Sequence, residues 1–153
     1  MNLQMEINSL KQRISELEQQ AKQEQEFPQY AKDYWYVDSD TEAMGTVWYG
    51  DESYSDQGRL SIDNVFKTKD EAEFAAEKLR VEAELRKFSK PFEYGENCTE
   101  FYYDHEFGGI KFCTLTASQT QGAIYFESRE KAEEAIDTVG EERIKKYIFG
   151  MEG

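Results

Sequence analysis

The side chains best suited to chemistry in this sequence are carboxylates, and they are interleaved with aromatic rings. Asp38, Asp40, Glu42, Asp51, Glu52 and Asp56 fall in one short stretch, threaded by Tyr36, Trp48, Tyr49 and Tyr54. Carboxylates spaced like phosphates can engage lysines and arginines shaped to hold DNA or RNA, while Tyr and Trp supply contact area. The same residues also read, more plainly, as a solvated and solubilising face. Other chemistries lack their components. Asp38-x-Asp40-x-Glu42 opens like a calcium loop, but the glycine falls at Gly45 instead of the sixth place and Tyr49 occupies the twelfth, where a bidentate Glu belongs. Asp104-His105-Glu106 holds the single imidazole, and consecutive residues point in different directions, so adjacency alone makes no site. Phosphate-loop, G-x-S-x-G and C-x-x-C patterns are absent, and nothing among 32 acids singles out a hydrolytic pair. The sequence therefore predicts a non-enzymatic protein with no cofactor and no metal.

Composition narrows the partners. The 153 residues carry 32 Asp and Glu against 18 Lys and Arg, a net charge of -14. Such a polyanion repels phosphate backbones, which argues against direct nucleic-acid binding and leaves a basic protein as the electrostatically favoured partner. Hydrophobic residues at 39% and aromatics at 14% suffice for an ordered core. The N-terminus lacks the apolar run of a signal peptide, and no stretch has the length of a membrane span. The expectation is a cytoplasmic protein without membrane contact, with Cys98 and Cys113 as reduced thiols.

The elements that position these residues begin with an N-terminal arm. Leu3, Ile7, Leu10, Ile14, Leu17 and Ala21 recur at alternating spacings of four and three, a heptad seam with Ile7, Ile14 and Ala21 at a and Leu3, Leu10 and Leu17 at d. β-Branched residues at a with Leu at d favour a parallel two-stranded coil. In that arrangement Glu6 faces the partner's Lys11, and Arg13 faces the partner's Glu18. Leu3, Ile7, Leu10, Ile14 and Leu17 are the expected homodimer interface. The pattern fades after Ala21, so residues 1–26 read as a coiled-coil helix and hinge, and 27–153 as an α+β body.

The body contains a pseudo-repeat. Asn64–Ala75 and Ile124–Ala135 share, at an offset of 60, the phrase apolar-Phe-x-[ST]-[KR]-[DE]-x-Ala-Glu-x-Ala. A short strand ends at Phe, the hydroxyl of Thr68 or Ser128 caps a helix, and alanines let that helix lie close to a sheet. Alternating aromatic runs precede each copy: Tyr34–Val37 and Thr46–Tyr49, then Phe101–Tyr103 and Ile110–Leu115. The prediction is two β-β-β-α units building an antiparallel sheet with helices on one face. The helices span about 69–89, presenting Ala72, Ala75, Ala76, Leu79 and Ala83, and about 129–139, closed by Gly140, before a short last helix over 141–149. Residues 26–66 hold nine acids and two bases, and 91–127 six acids and one base, so the excess charge belongs to the strand segments.

These phrases carry a resemblance. The chain resembles small proteins of phages and prophages of Gram-positive bacteria. They combine a helical N-terminal stretch, a "YWYV"-like strand (Tyr34–Val37), an "NVFKTKEEAE"-like segment (Asn64–Glu73), an "IYFES" segment (Ile124–Ser128) and an ending like Arg143–Tyr147. The resemblance implies a phage accessory context and transfers no site residues. In that context an acidic, non-enzymatic protein is expected to inhibit a host defence nuclease of restriction or CRISPR type, whose DNA channel is basic. Two other expectations stay open: a sponge for a small signalling molecule, if Arg59, Lys111 and Arg143 converge, and a phage assembly or scaffold component.

Overall fold

The computed structural model describes residues 2–152. The fold is mixed α+β. In chain order its elements are α1 (Leu3–Gln25), β1 (Asp33–Val37), β2 (Ala43–Val47), a 3-10 turn (Gly50–Glu52), α2 (Tyr54–Ser61), α3 (Lys69–Arg86), β3 (Cys98–Asp104), β4 (Gly109–Leu115), α4 (Arg129–Val139) and α5 (Glu141–Tyr147). The chain divides into two compact units, Met1–Ala72 and Glu73–Gly153.

In the first unit, α1 starts at Asn2, whose side chain accepts from the Gln4 amide at 3.0 Å. It ends where Glu26 turns extended ahead of Phe27-Pro28. β1 and β2 form an antiparallel hairpin with Asp33 opposite Val47 at the base and Val37 opposite Ala43 at the tip. The tip is tied by Asp38, whose Oδ1 accepts from the amides of Asp40 and Glu42, each at 2.9 Å. A third strand does not form: only Phe66 bridges Trp35, exchanging two backbone hydrogen bonds of 2.8 Å. The chain arrives through Asp63 in the left-handed region, at φ 57°, and the helix cap at Thr68 follows at once, so one residue alone has room to pair. The amide of Asn64 extends that bridge as a stand-in for backbone, accepting from Val37 N at 2.8 Å and donating to Val37 O at 2.7 Å.

The second unit repeats the plan. β3 and β4 pair antiparallel from Cys98 opposite Leu115 to Asp104 opposite Gly109. Asp104 ties this turn as Asp38 ties the other, accepting from the amides of Glu106 and Phe107 at 3.0 Å each. Phe126 bridges Thr99, the counterpart of Phe66 on Trp35, and Lys90 bridges Tyr125 beside it. The two ladders are separate antiparallel two-stranded sheets, within the α+β class expected, and single-residue bridges stand where the repeat predicts third strands.

Both helix caps are as the repeat predicts. Thr68 Oγ1 accepts from Glu71 N at 3.2 Å, and Ser128 Oγ accepts from Lys131 N at 3.1 Å. Gly140, at φ 105°, closes α4 and opens α5, a conformation that glycine adopts without steric cost. The core of this unit joins Val81 and Leu85 of α3, Phe126, Ala132, Ala135, Ile136 and Val139 around α4, and Ile144 of α5. Phe101, Ile110 and Phe112 from the inner hairpin face pack against it. On α3 the buried residues are Ala72, Ala76, Val81 and Leu85; Leu79 and Ala83, expected inside, lie exposed.

Candidate functional site

The acidic, aromatic stretch does not assemble into one cluster. Its residues divide three ways, and the hairpin register sets the division. Asp38, Asp40 and Glu42 lie at the hairpin tip, past the Val37–Ala43 pair. Asp51 and Glu52 follow the opposite end, past the Asp33–Val47 pair, in the 3-10 turn. Five-residue strands rising about 3.4 Å per residue separate the two groups by about 14 Å or more. Asp56 belongs to neither group. It is 2% exposed and so cannot meet a partner.

Asp56 is held by α2, which the strand-based reading overlooked. Ser53 caps this helix, accepting from Asp56 N at 3.2 Å, and Ser53-Tyr54-Ser55-Asp56 is an S-x-x-D capping signal legible in the sequence. With its backbone fixed there, the carboxylate points inward. It accepts from the Tyr34 hydroxyl at 2.5 Å and the Tyr49 amide at 2.7 Å, and Arg59 lies 3.6 Å away one turn later on α2. Arg59 also donates to the Tyr34 oxygen at 2.8 Å and stacks its guanidinium 3.6 Å over the Tyr36 ring. Burial alone would push the Asp56 carboxyl up; the Tyr34 and Tyr49 hydrogen bonds and the Arg59 charge outweigh that and hold it below the usual aspartate range. Burial and the bond to Asp56 push the Tyr34 hydroxyl up. This is a structural network, and Asp56, Tyr36 and Arg59 are occupied by one another.

The aromatic members separate as well. Trp48 is 7% exposed and meets Tyr34 edge-on at 5.6 Å. Tyr54 is 97% exposed and free of the network. Tyr49 is about half exposed and stands against Tyr30, a residue the sequence reading left out, at 6.1 Å and 79° between ring planes. The Tyr30 hydroxyl donates to Glu52 at 3.1 Å, which raises its own proton affinity. Tyr30, Trp48, Tyr49, Asp51 and Glu52 line an open groove of about 450 Å3. Asp40, Asp51 and Glu52 are exposed and have no basic partner among the described residues.

The arm presents the second feature. Every residue described on α1 is exposed, and the seam is bare: Leu3, Ile7, Leu10, Ile14 and Leu17 all rank among the exposed large hydrophobics. α1 is 23 residues long, about 35 Å. Charge distinguishes the ways two such helices can pair. Antiparallel, the seam would superpose with Lys11 against the partner's Lys11 and Arg13 against the partner's Arg13. Parallel, both positions meet acids, Glu6 with Lys11 and Arg13 with Glu18.

The remaining candidates are committed elsewhere. Lys111 pairs with Asp104 at 3.2 Å, and Arg143 bonds Glu77 at 2.8 Å and Glu84 at 2.7 Å, so with Arg59 each of the three cations has its own carboxylate. His105 is exposed and meets Tyr103 edge-on at 4.8 Å, while Asp104 serves the turn. Cys98 and Cys113 are free thiols, on neighbouring strands but out of register, Cys98 opposite Leu115 and Cys113 opposite Glu100. Among the described residues no group of three or more His, Cys, Asp or Glu is disposed to hold a metal ion, and no helix is long and apolar enough to cross a membrane.

No protein-family model matches the chain, and no curated protein matches it. Among solved structures it is similar to a chain in the structure of the complex between SmCI and human carboxypeptidase A4, at 17% identity and a TM-score of 0.25. That similarity covers 72% of this chain and 63% of the other, and at such a TM-score it carries no argument about function.

Proposed function

We propose that the chain is a non-enzymatic binding protein, encoded by a phage, that pairs through α1 as a parallel homodimer. Its acidic first unit engages a basic nucleic-acid-binding protein of the host cytoplasm, a defence nuclease of restriction or CRISPR type. The observation that carries this reading is the state of the carboxylates: Asp40, Asp51 and Glu52 stand exposed without basic partners among the described residues, whereas Asp56, Glu77, Glu84 and Asp104 are all paired. Unpaired carboxylates project a field that attracts a basic surface and speeds its encounter. The bare seam of α1 supports the dimer, and two acidic units on one coil add avidity where both can engage together.

The test is capture from host lysate by tagged wild type beside a five-site variant, D38N/D40N/E42Q/D51N/E52Q. Asp56 is left intact because its loss would disturb the fold. The expected result is a basic nucleic-acid-binding protein retained by wild type alone and released by salt. Retention of the same protein by both, or by neither, would overturn the reading.

A further inference from the structure

We infer that a cavity at the open edge of β3 is a receptor for the carboxamide side chain of a glutamine or asparagine presented by a protein partner. In an antiparallel ladder the N–H and C=O of one residue point to the same edge, and successive residues alternate. On β1, Trp35 and Val37 turn theirs away from β2: Trp35 bonds Phe66, and the Asn64 carboxamide bonds both groups of Val37. On β3, Thr99 turns away from β4 and exchanges bonds of 2.9 and 2.7 Å with Phe126. Phe101, two residues on, therefore stands where Val37 stands. The counterpart of Asn64, at the repeat offset of 60, is Ile124, whose side chain can neither donate nor accept. No described group bonds the Phe101 N–H or C=O on that edge. The chain that would pair there turns away first, through Gly122 at φ 73° and a 3.2 Å bond from the Ala123 amide to the Thr120 carbonyl.

The cavity lies at that unpaired residue. Three consecutive residues, Glu100, Phe101 and Tyr102, line it, and because alternate side chains leave opposite faces, it meets β3 at the edge. Leu85, Ile124, Ile148 and Phe149 supply apolar walls. Its volume of about 240 Å3 falls below the roughly 300–1,000 Å3 of small-molecule sites and suits one side chain. Electrostatic complementarity selects the group that enters. A carboxylate would set its charge against the Phe101 carbonyl, and an ammonium would set its own against the N–H. A primary carboxamide carries an acceptor and a donor side by side, and Asn64 satisfies Val37 with that pair at 2.8 and 2.7 Å. The charged groups of the rim are engaged within the unit, which favours a neutral occupant: Glu82 pairs with Arg86 at 3.6 Å, and Glu100 accepts from the Thr120 hydroxyl at 2.9 Å.

The experiment is a titration of the full chain, ¹⁵N-labelled, with acetyl-Gly-Gln-Gly-N-methylamide, alongside the Met, Glu and Ala peptides. The N-methyl end leaves the Gln side chain as the peptide's sole primary amide. The backbone amide signals of Phe101 and Val37 are read by NMR. We expect saturable movement of the Phe101 signal with the Gln peptide at about millimolar affinity. The other peptides should bind about tenfold more weakly, and the Val37 signal should hold still because Asn64 already occupies its bonds. Gln121→Ala, at the exposed border of the cavity, should bind the Gln peptide as wild type does. A still Phe101 signal would overturn the inference. So would an equal response to Met, which would make the cavity an apolar hole, to Ala, which would make β3 an edge for any strand, or to Glu. Binding gained only in Gln121→Ala would show that the chain's own Gln121 fills the place, and would overturn it as well. The cavity lies wholly in the second unit and the test involves no host protein, so its outcome stands apart from the acidic docking of the first.

Discussion

The hydroxyl of Tyr34 donates to the buried carboxylate of Asp56 at 2.5 Å, across 22 residues of sequence, and this bond joins β1 to α2. Tyr34 is fully buried and Asp56 is 2% exposed, so each depends on the other for satisfaction.

Replacing Asp56 with Ala should therefore strand the Tyr34 hydroxyl, the Tyr49 amide and the Arg59 charge, at a cost of about 2–4 kcal/mol. Asp56→Asn keeps one acceptor and should cost less. The carboxyl is held below its ordinary range, so its stabilisation is complete at pH values above that range. It is lost as pH falls through the depressed folded value. Urea melts from neutral to acid pH should show wild type losing this increment, so that its margin over D56N narrows as the pH falls.

The arm makes a charge-coded prediction. In a parallel dimer Glu6→Lys sets a second lysine against the partner's Lys11 and should weaken association several-fold, at about 0.3–0.5 kcal/mol per pair and two pairs per dimer. Adding Lys11→Glu should restore it. An antiparallel dimer would place Glu6 near the partner's Gln20, and the single change would do little. Sedimentation equilibrium reads the difference, with Leu10→Asp as the monomeric reference.

Asn64 replaces a strand residue by its side chain, exchanging two hydrogen bonds with Val37. Asn64→Ala should cost about 1–2 kcal/mol. Asn64→Asp keeps the acceptor for Val37 N but turns a carboxylate oxygen toward Val37 O, and should be at least as harmful. Amide exchange at Val37 would report both.

The paired phenylalanines should differ in weight. Phe126 is fully buried and stacks on Phe101 at 5.8 Å, so Phe126→Ala should cost about 3–5 kcal/mol. Phe66 is only half-buried at the matching place and its removal should cost roughly 1–2 kcal/mol. Chemical denaturation of the two variants compares them directly.

Much of this architecture was legible from residue pattern. The repeat located both Phe bridges and both hydroxyl caps because those depend on local chemistry: a Ser or Thr before a helical run, and a Phe ahead of it. α4 needed only the spacing of Ala132, Ala135, Ile136 and Val139. The site was less legible for a definite reason. Asp56 and Asp51 look alike in a sequence, and what separates them is the Ser53 cap that turns one inward. The tip and the 3-10 acids look contiguous until the hairpin register sends them to opposite ends. Tyr30 enters the groove through its ring contact with Tyr49 and its hydroxyl bond to Glu52, non-local facts that no spacing announces.

Both tryptophans lie in the first unit, Trp35 opposite Gly45 in the hairpin and Trp48 behind the groove, while the lone histidine, His105, lies in the second. Indole fluorescence therefore follows Met1–Ala72 alone, and the imidazole proton signals follow Glu73–Gly153 alone. The molecule carries a separate optical and magnetic label on each half, and a single unmodified sample can show whether the halves melt as one cooperative body or in succession.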